Sequence, residues 1–275
     1  MHSRRIITSL FVLPALFVCI EWNYGDWFAV FLASFFFIGA QAEFYPLMGV
    51  RHRPLVKIGQ DVLAVLFMFA ILYHHRPAAY VIASLFLGGS ILTDMRHELR
   101  GFRQAMATHA LTFLYLLLPL SSFVFLRSLP HGPAVLYFVL AVACGTDIGG
   151  FYGGKYFGQR LLCPRISPNK TWEGSIAGIL LSIVFIAMGT VIFYGTTGRI
   201  LWFHTPDVVH LLGLTVAVSL VGQLGDLCES ALKRDAGVKD SGSNLTGHGG
   251  FLDMMDALLW IGPAMVFYIK MLEWW

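Results

Sequence analysis

Long apolar runs recur along the whole chain, and they restrict its possible folds more than any other feature. A helix needs about 20 largely apolar residues to cross the hydrocarbon core of a bilayer, and the segment 174–198 contains no Asp, Glu, Lys or Arg at all. Hydrophobic residues make up 57% of the 275 residues and charged residues 13%, whereas a typical soluble domain has about 25% charged residues. The chain is therefore predicted to be an integral membrane protein built from helices.

Polar interruptions divide these runs into nine candidate spans, which predict an all-α, polytopic helical bundle. The spans lie near residues 6–22, 27–42, 58–74, 78–93, 104–126, 133–154, 174–197, 208–232 and 251–269. The second and fourth are short, so tilted or re-entrant segments are alternatives there. We expect one group of helices over residues 1–130 and a second region over residues 131–275, which contains the two longest polar loops, 155–173 and 233–250.

The basic residues predict how the chain is oriented. If the N-terminus is cytoplasmic, the 19 Lys and Arg residues all fall in cytoplasmic segments except Arg76, Arg127, Arg199 and Lys270. This asymmetry follows the positive-inside rule. We therefore expect a multi-pass protein of the inner (cytoplasmic) cell membrane, with its two long polar loops in the cytoplasm. The net charge of +3 is too small to suggest nucleic acid as a partner.

The cytoplasmic end of the eighth span carries polar side chains at helical spacing. Gln223, Asp226, Ser230 and Lys233 recur every three or four residues, with Glu229 beside them, so they share one face of the helix. An acid inside a membrane is costly unless it is paired, solvated in a cavity or bound to a metal. A purely structural ion pair between Lys233 and either Asp226 or Glu229 is the alternative to a functional site.

A glycine-rich loop over residues 239–250 leads into the last span. Its three glycines around His248 would expose backbone N–H groups, which is a common way to bind phosphate, although a flexible connector is the alternative. Asp253 and Asp256 follow directly and are expected at the membrane depth of Asp226. Carboxylates beside basic residues fit a divalent cation such as Mg²⁺ and a phosphate-bearing substrate.

A third polar constellation begins with Asp147 in the sixth span. It continues, after a run of glycines, in the segment 167–174, which reads Ser-Pro-Asn-Lys-Thr-Trp-Glu-Gly. Hydroxyls, a lysine and an aromatic ring suit a nucleotide or a lipid phosphate. The same segment could also be a helix start, with Ser167 as the N-cap and Pro168 at the first helical position.

Together these motifs resemble the phosphatidate cytidylyltransferase (CDP-diacylglycerol synthase) family. The resemblance is carried by residues 230–234, by Lys239-Asp240 and by residues 245–256, with support from residues 167–174 and Gly225-Asp226. Recognisable motifs cover about residues 144–256. The resemblance implies an α-helical membrane enzyme of phospholipid biosynthesis, which converts CTP and phosphatidic acid to CDP-diacylglycerol and pyrophosphate with the help of Mg²⁺.

The resemblance also implies roles for individual residues. The implied catalytic residues are Asp226, Asp253, Asp256, Lys233 and His248, and the implied metal ligands are Asp226, Asp253, Asp256 and Glu229. The implied substrate contacts are Ser167, Lys170, Thr171, Glu173, Ser230, Arg234, Lys239, Asp240, Gly249, Gly250 and Asp147. The expected partners are CTP, phosphatidic acid, membrane lipids and a second copy of the chain.

Two positions depart from the family pattern. Met254 stands where the family usually has an arginine, and Thr246 where it usually has a small residue or proline. Without the arginine, a bidentate phosphate contact would be missing, so a CTP-dependent transferase that acts on another lipid phosphate is an alternative. An ion-coupled transporter is a further alternative, because intramembrane acids such as Asp61 and Asp147 also mark ion pathways.

Overall fold

The structure is a computed structural model that describes residues 20–21, 25–50, 53–97, 101–197, 208–242 and 249–272. In this part of the chain the α-helices are α1 (Gly25–Leu47), α2 (Pro54–Leu72), α3 (Arg76–His97), α4 (Phe102–Leu111), α5 (Leu118–Arg127), α6 (Gly132–Phe157), α7 (Trp172–Thr197), α8 (Val208–Asp235), α9 (Phe251–Met255) and α10 (Leu258–Leu272). A π-helical turn, Thr112–Leu117, joins α4 to α5, and two strands, β1 (Leu161–Cys163) and β2 (Ser167–Thr171), lie between α6 and α7.

The predicted all-α, multi-span architecture is confirmed. Within the described residues, seven helical segments are long and apolar enough to cross a membrane, and a shorter apolar helix covers Arg76–Leu92. The second predicted span is longer than its hydropathy suggested, because α1 has 23 residues. Most of the first predicted span, residues 6–22, lies outside the described residues.

Two of the predicted spans are not single regular helices. The span predicted over residues 104–126 consists of α4, the π-helical turn and α5. The span predicted over residues 251–269 is divided at Asp256 and Ala257, where a turn separates α9 from α10. Hydropathy reports how apolar a segment is, and it does not report these local changes in backbone hydrogen bonding.

The chain forms two compact units that are interleaved along the sequence. The first unit consists of Met1–Ser128 and Asp235–Met255, and the second consists of Leu129–Arg234 and Asp256–Trp275. The predicted catalytic residues are therefore shared between the units: Asp253 belongs to the first unit, and Asp226 and Asp256 belong to the second.

Aromatic packing and a buried polar network hold the first unit together. Its fully buried side chains include Phe37, Phe44 and Phe86. Gln60 lies at the centre of the network, where its amide accepts hydrogen bonds from Gln41 at 2.9 Å and Tyr45 at 2.8 Å. Interhelical hydrogen bonds of this kind help to align helices in a membrane, where apolar burial alone does not favour one helix pair over another.

Small residues bring α6 and α7 of the second unit into close contact. A Cβ atom added at Gly149 would lie 2.5 Å from the carbonyl oxygen of Ala177, and one added at Gly178 would lie 2.7 Å from the carbonyl oxygen of Thr146. Backbones can approach this closely only where side chains are absent, as in other small-residue contacts between membrane helices. This contact fixes α6, which carries Asp147, against the start of α7.

Candidate active site

A short hairpin leads from α6 into α7. Strands β1 and β2 are antiparallel, with Leu161 opposite Thr171. The alternative interpretation of Ser167 as a helix N-cap is wrong, because the backbone stays extended through Thr171 and α7 begins at Trp172. Thr171 provides the cap instead, since its Oγ1 accepts a hydrogen bond from the Gly174 amide at 3.1 Å, as an N-cap side chain does.

Glu173 connects the start of α7 to the hairpin. Its carboxylate accepts hydrogen bonds from the backbone amides of Gln159 at 3.0 Å and Arg160 at 3.2 Å. The amide of Trp172 donates to the carbonyl of Arg160 at 2.9 Å. These contacts fix the strand that carries Lys170, and a direct contact of Glu173 with substrate stays a prediction.

The hairpin closes one side of a cavity of about 580 Å³ in the second unit. This volume falls within the range of about 300–1,000 Å³ that is typical of small-molecule sites. Helices α6, α7 and α8 form the other walls. The lining includes five of the residues predicted to bind substrate or metal: Asp147, Ser167, Lys170, Thr171 and Asp226. Residues far apart in sequence thus meet around one cavity, together with Lys155 and Asn169.

The strongest charge contact in the cavity is an ion pair between Lys170 and Asp226. Both side chains remain partly accessible, at 26% and 30% exposure. The Ser230 hydroxyl lies 3.5 Å from Asp226 Oδ1 on the next turn of α8. The Lys170 Nζ atom itself is buried, so a ligand that separates this pair must give the ammonium a new partner, such as a phosphate oxygen.

Asp256 adds a further carboxylate near Asp226. It is half-buried, and the charges of Asp226 and Asp147 act on it. The backbones are close here as well, since a Cβ atom at Gly225 would lie 2.6 Å from the carbonyl oxygen of Asp256. Asp256 Oδ1 accepts a hydrogen bond from the Ala257 amide at 2.5 Å. A cation beside Asp226 and Asp256 would relieve the repulsion between these acids.

The donor chemistry fits Mg²⁺, although the described part of the chain contains no group of three His, Cys, Asp or Glu side chains in a ready-made metal geometry. Mg²⁺ prefers oxygen ligands, and it is usually held by one or two carboxylates together with substrate phosphates. Asp226 and Asp256 could supply these carboxylates, with Asp147 beside them. The site could then be completed by its substrate.

Glu229 and Lys233 form a second ion pair on α8. Their charged atoms are 2.5 Å apart, and the Glu229 side chain is only 1% exposed. The ion pair of Lys233 with Glu229 is therefore present, and the catalytic role of Lys233 stays a prediction beside a purely structural one. The adjacent Arg234 donates to the carbonyl of Ile166 at 3.2 Å and so connects α8 to the hairpin. Metal binding by Glu229 stays a prediction.

The first unit holds the remaining predicted residues. Asp253 Oδ2 accepts hydrogen bonds from the Ser241 amide at 3.0 Å and the Gly250 amide at 2.8 Å, and the Ser241 hydroxyl lies 2.9 Å from it. Gly249 has a φ of +81°, a conformation that side chains disfavour. Lys239 and Asp240 are exposed. His248 and Thr246 lie outside the described residues.

A set of small polar side chains beneath the cavity was not predicted. The Thr146 hydroxyl, on α6, lies 2.9 Å from the Ser182 hydroxyl and 2.7 Å from the Ser219 hydroxyl, and all three residues are buried. Gln223 of α8 accepts a hydrogen bond from Ser175 of α7. A single Ser or Thr within an apolar run does not predict a polar cluster, because its hydrogen-bond partners lie on other helices.

Comparison with known proteins identifies the family. Residues 3–272 match the model of the cytidylyltransferase family. The chain is 31% identical to a phosphatidate cytidylyltransferase of Pseudomonas aeruginosa over 266 residues, which cover 94% of this chain and 93% of that protein. It is 39% identical to the phosphatidate cytidylyltransferase of Bacillus subtilis over 150 residues, which cover 54% of this chain and 52% of that protein.

A similar protein from Staphylococcus aureus, also named phosphatidate cytidylyltransferase, is 43% identical over 132 residues, which cover 48% of this chain and 46% of that protein. In this match and in the Bacillus match, the chain spans about half the length of its relative. The family model and the Pseudomonas relative, in contrast, match nearly the whole chain. This membrane-embedded chain therefore belongs to the cytidylyltransferase family.

Proposed function

We propose that this chain transfers a cytidylyl group from CTP to phosphatidic acid and thereby makes CDP-diacylglycerol and pyrophosphate. The observation that carries this proposal is the cavity of the second unit, where Lys170 and Asp226 form an ion pair and Asp147 also lines the cavity. The names of the relatives support this assignment, because all three are called phosphatidate cytidylyltransferase.

In the proposed reaction, a phosphate oxygen of phosphatidic acid attacks the α-phosphorus of CTP. The bond from the α-phosphorus to the oxygen that bridges to the β-phosphorus breaks, and that oxygen leaves with its electron pair on pyrophosphate. In such transfers the enzyme mainly holds the reacting groups in line and stabilises negative charge. The Lys170 ammonium is suited to this role, because it can exchange Asp226 for a phosphate oxygen.

We propose that Asp226 and Asp256 hold Mg²⁺ together with the phosphates of CTP. When bound, the ion would neutralise phosphate charge and orient the triphosphate. The hydroxyls of Ser167 and Thr171 line the same cavity and can donate hydrogen bonds to phosphate oxygens. For Asp253, in the first unit, a metal role is supported only by the family resemblance of its motif.

The alternative function is cytidylyl transfer to a lipid phosphate other than phosphatidic acid. It arises because Met254 stands where the family usually has an arginine. This residue is half-buried in α9, and no basic side chain stands at its position. The names of the relatives do not favour this alternative, and the family match does not favour the ion-coupled transporter. The lipid acceptor can be tested directly by including a second lipid phosphate in the assay.

We further propose that the protein lies in the inner (cytoplasmic) membrane with the cavity open to the cytoplasm. The distribution of Lys and Arg supports this orientation, since the hairpin and the end of α8 carry Arg160, Arg165, Lys170, Lys233 and Arg234. CTP would then reach the site from the cytoplasm and phosphatidic acid from the adjacent leaflet. A homodimer is proposed as the assembled form.

The proposed function is tested with detergent-purified protein, CTP, Mg²⁺ and either phosphatidic acid or a polyprenyl phosphate. We expect pyrophosphate release only with phosphatidic acid, together with a lipid product whose mass equals that of phosphatidic acid plus a cytidylyl group. Turnover with the polyprenyl phosphate alone would establish the other acceptor. No turnover with either lipid, by a folded protein that binds CTP, would contradict the proposal.

A further inference from the structure

Glu43 is a buried acid in α1 that the sequence motifs did not indicate. It is 4% exposed and lies within a helix that is long and apolar enough to cross a membrane. A carboxylate in such a place is costly unless hydrogen-bond donors surround it. The donors around Glu43 come from residues about 200 positions further along the chain, in the loop before α9.

Both ends of that loop contact the same carboxylate oxygen. Glu43 Oε2 accepts a hydrogen bond from the Leu252 amide at 3.1 Å and lies 3.0 Å from the Ser241 hydroxyl, whose one proton can be donated either to Glu43 or to Asp253. The Leu252 amide belongs to the first turn of α9, where backbone N–H groups have no partner within the helix. Glu43 therefore connects Ser241, before the loop, to α9, after the loop.

Two glycines pack directly against the Glu43 side chain. A Cβ atom at Gly242 would lie 2.7 Å from Glu43 Cδ, and a Cβ atom at Gly250 would also lie 2.7 Å from it. Real Cβ atoms essentially never come this close, so a side chain at either position would displace the Glu43 carboxylate or the loop end that carries it. Gly242 and Gly250 thus enclose the carboxylate between the two ends of the loop.

The same loop ends surround Asp253, a predicted metal ligand. Ser241 donates to Asp253 through its amide, and its hydroxyl lies between the carboxylates of Glu43 and Asp253, while the Gly250 amide donates to Asp253. Whatever holds Ser241 and Gly250 in place therefore also sets the direction of the Asp253 carboxylate.

We infer that Glu43 is a positioning residue for the cytidylyl-transfer reaction, which fixes both ends of the loop and thereby orients Asp253. This inference rests on the proposed function, which gives Asp253 its role. Glu43 would not touch substrate. Its contribution would be to hold Ser241 and Gly250 in place before the substrates bind, because misplacement of a reacting group lowers the rate steeply.

The test compares Glu43→Ala and Glu43→Gln with a matched control, Gln41→Ala. Gln41 is fully buried two residues away on the same helix, and its amide donates to Gln60 at 2.9 Å instead of contacting the loop. For each variant, the turnover number per folded molecule, the KM for CTP and the thermal unfolding midpoint are measured. Hydrogen exchange is followed in peptides that cover residues 249–256 and in peptides from α7.

We expect Glu43→Ala to lower the turnover number roughly 10- to 100-fold, as expected for loss of a hydrogen bond to a charged group, and to speed exchange at residues 249–256 but not in α7. Glu43→Gln should have a higher turnover number and slower exchange at residues 249–256 than Glu43→Ala, because its amide oxygen can still accept a hydrogen bond from the Leu252 amide. Gln41→Ala should lower the unfolding midpoint and leave the turnover number and the exchange at residues 249–256 unchanged.

The inference would be overturned if Glu43→Gln and Glu43→Ala lowered only the unfolding midpoint, with normal turnover per folded molecule and normal exchange at residues 249–256. If Glu43→Ala fails to fold, the test rests on Glu43→Gln, with turnover per folded molecule and exchange at residues 249–256 as the two measurements. If the wild-type protein shows no cytidylyl transfer, the proposed function fails, and unchanged exchange at residues 249–256 in the variants would refute the Glu43 contacts separately.

Discussion

At the scale of single residues, the Lys170–Asp226 ion pair connects the hairpin to α8 inside an accessible cavity. Both side chains are partly exposed, but the Lys170 Nζ atom itself is buried, so the ammonium depends on a partner charge such as that of Asp226. For the proposed reaction, the pair places a lysine and a carboxylate side by side in the cavity before the substrates bind. Such a pair can separate when phosphate and a cation arrive, because each charge then gains a new partner.

Asp226→Asn is therefore expected to lower the turnover number by at least about 100-fold, as is typical for the loss of one charge-stabilising group. The unfolding midpoint should remain close to that of the wild type. Asp235→Asn is the matched control, because Asp235 is an exposed acid at the end of the same helix and should be neutral in both assays. Near-normal turnover of Asp226→Asn at saturating Mg²⁺ would contradict a metal role for Asp226.

The residues of the cavity could be predicted from sequence to a large extent, whereas Glu43 could not. Asp226, Lys170 and Ser167 belong to dense polar motifs at the ends of apolar runs, and such groups are costly in a membrane without a function. Glu43 is a single acid among apolar residues, and its partners Ser241 and Leu252 are 198 and 209 positions away. No local pattern reports a contact over that separation.

At the scale of secondary-structure elements, glycines set the distance between α6 and α7. Gly149, Gly153 and Gly178 each face backbone or Cβ atoms of the partner helix. In lipid, apolar side chains gain nothing by leaving the bilayer for another helix, so close van der Waals packing must provide the attraction. This contact positions Asp147 of α6 relative to the hairpin that carries Lys170.

Gly149→Ala should lower stability, because the new methyl group would lie 2.5 Å from the Ala177 carbonyl oxygen. Overpacking of this kind costs about 1–3 kcal/mol. Gly213→Ala is the matched control, since a Cβ atom at Gly213 in α8 meets nothing within 4 Å. The thermal unfolding midpoint in detergent should fall for Gly149→Ala and stay the same or rise for Gly213→Ala. Equal unfolding midpoints for Gly149→Ala and Gly213→Ala would refute the tight contact between α6 and α7.

The hairpin between α6 and α7 shows where prediction of elements from sequence failed. Ser167 followed by Pro168 has the residue types of a helix start, yet both residues lie in a strand and the helix begins at Trp172. Thr171 is also a good N-cap residue, and it competes with Ser167 for the same role. Residues 167–171 pair with β1, with Thr171 opposite Leu161, so the helix begins after Thr171. A strand as short as β1 has no sequence pattern that would predict this pairing.

At the scale of the whole molecule, hydropathy predicts where apolar helices lie, and it does not predict how they group. Apolar runs identified every long helix in the described part of the chain. Hydropathy does not, however, reveal which helices pack together, because lipid and protein interiors are similarly apolar. The grouping of residues 235–255 with the N-terminal helices depends on particular contacts, such as those made by Glu43.

The proposed orientation predicts which side of the membrane each polar segment faces. In a background without native cysteines, Lys239→Cys should react with an impermeant maleimide only in inside-out vesicles, because the loop before α9 is proposed to be cytoplasmic. Lys270→Cys, near the end of α10, should react only in right-side-out vesicles. The reverse labelling pattern would contradict the proposed orientation and the access of CTP from the cytoplasm.

The most direct test of cytidylyl transfer follows the phosphorus atoms of CTP. Purified protein is incubated with phosphatidic acid, Mg²⁺ and CTP labelled either at the α-phosphate or at the γ-phosphate, and the lipid is then extracted. The account predicts that the α-label enters the lipid and the γ-label stays in the aqueous phase as pyrophosphate. Label from the γ-phosphate in the lipid, or label from neither position, would contradict it.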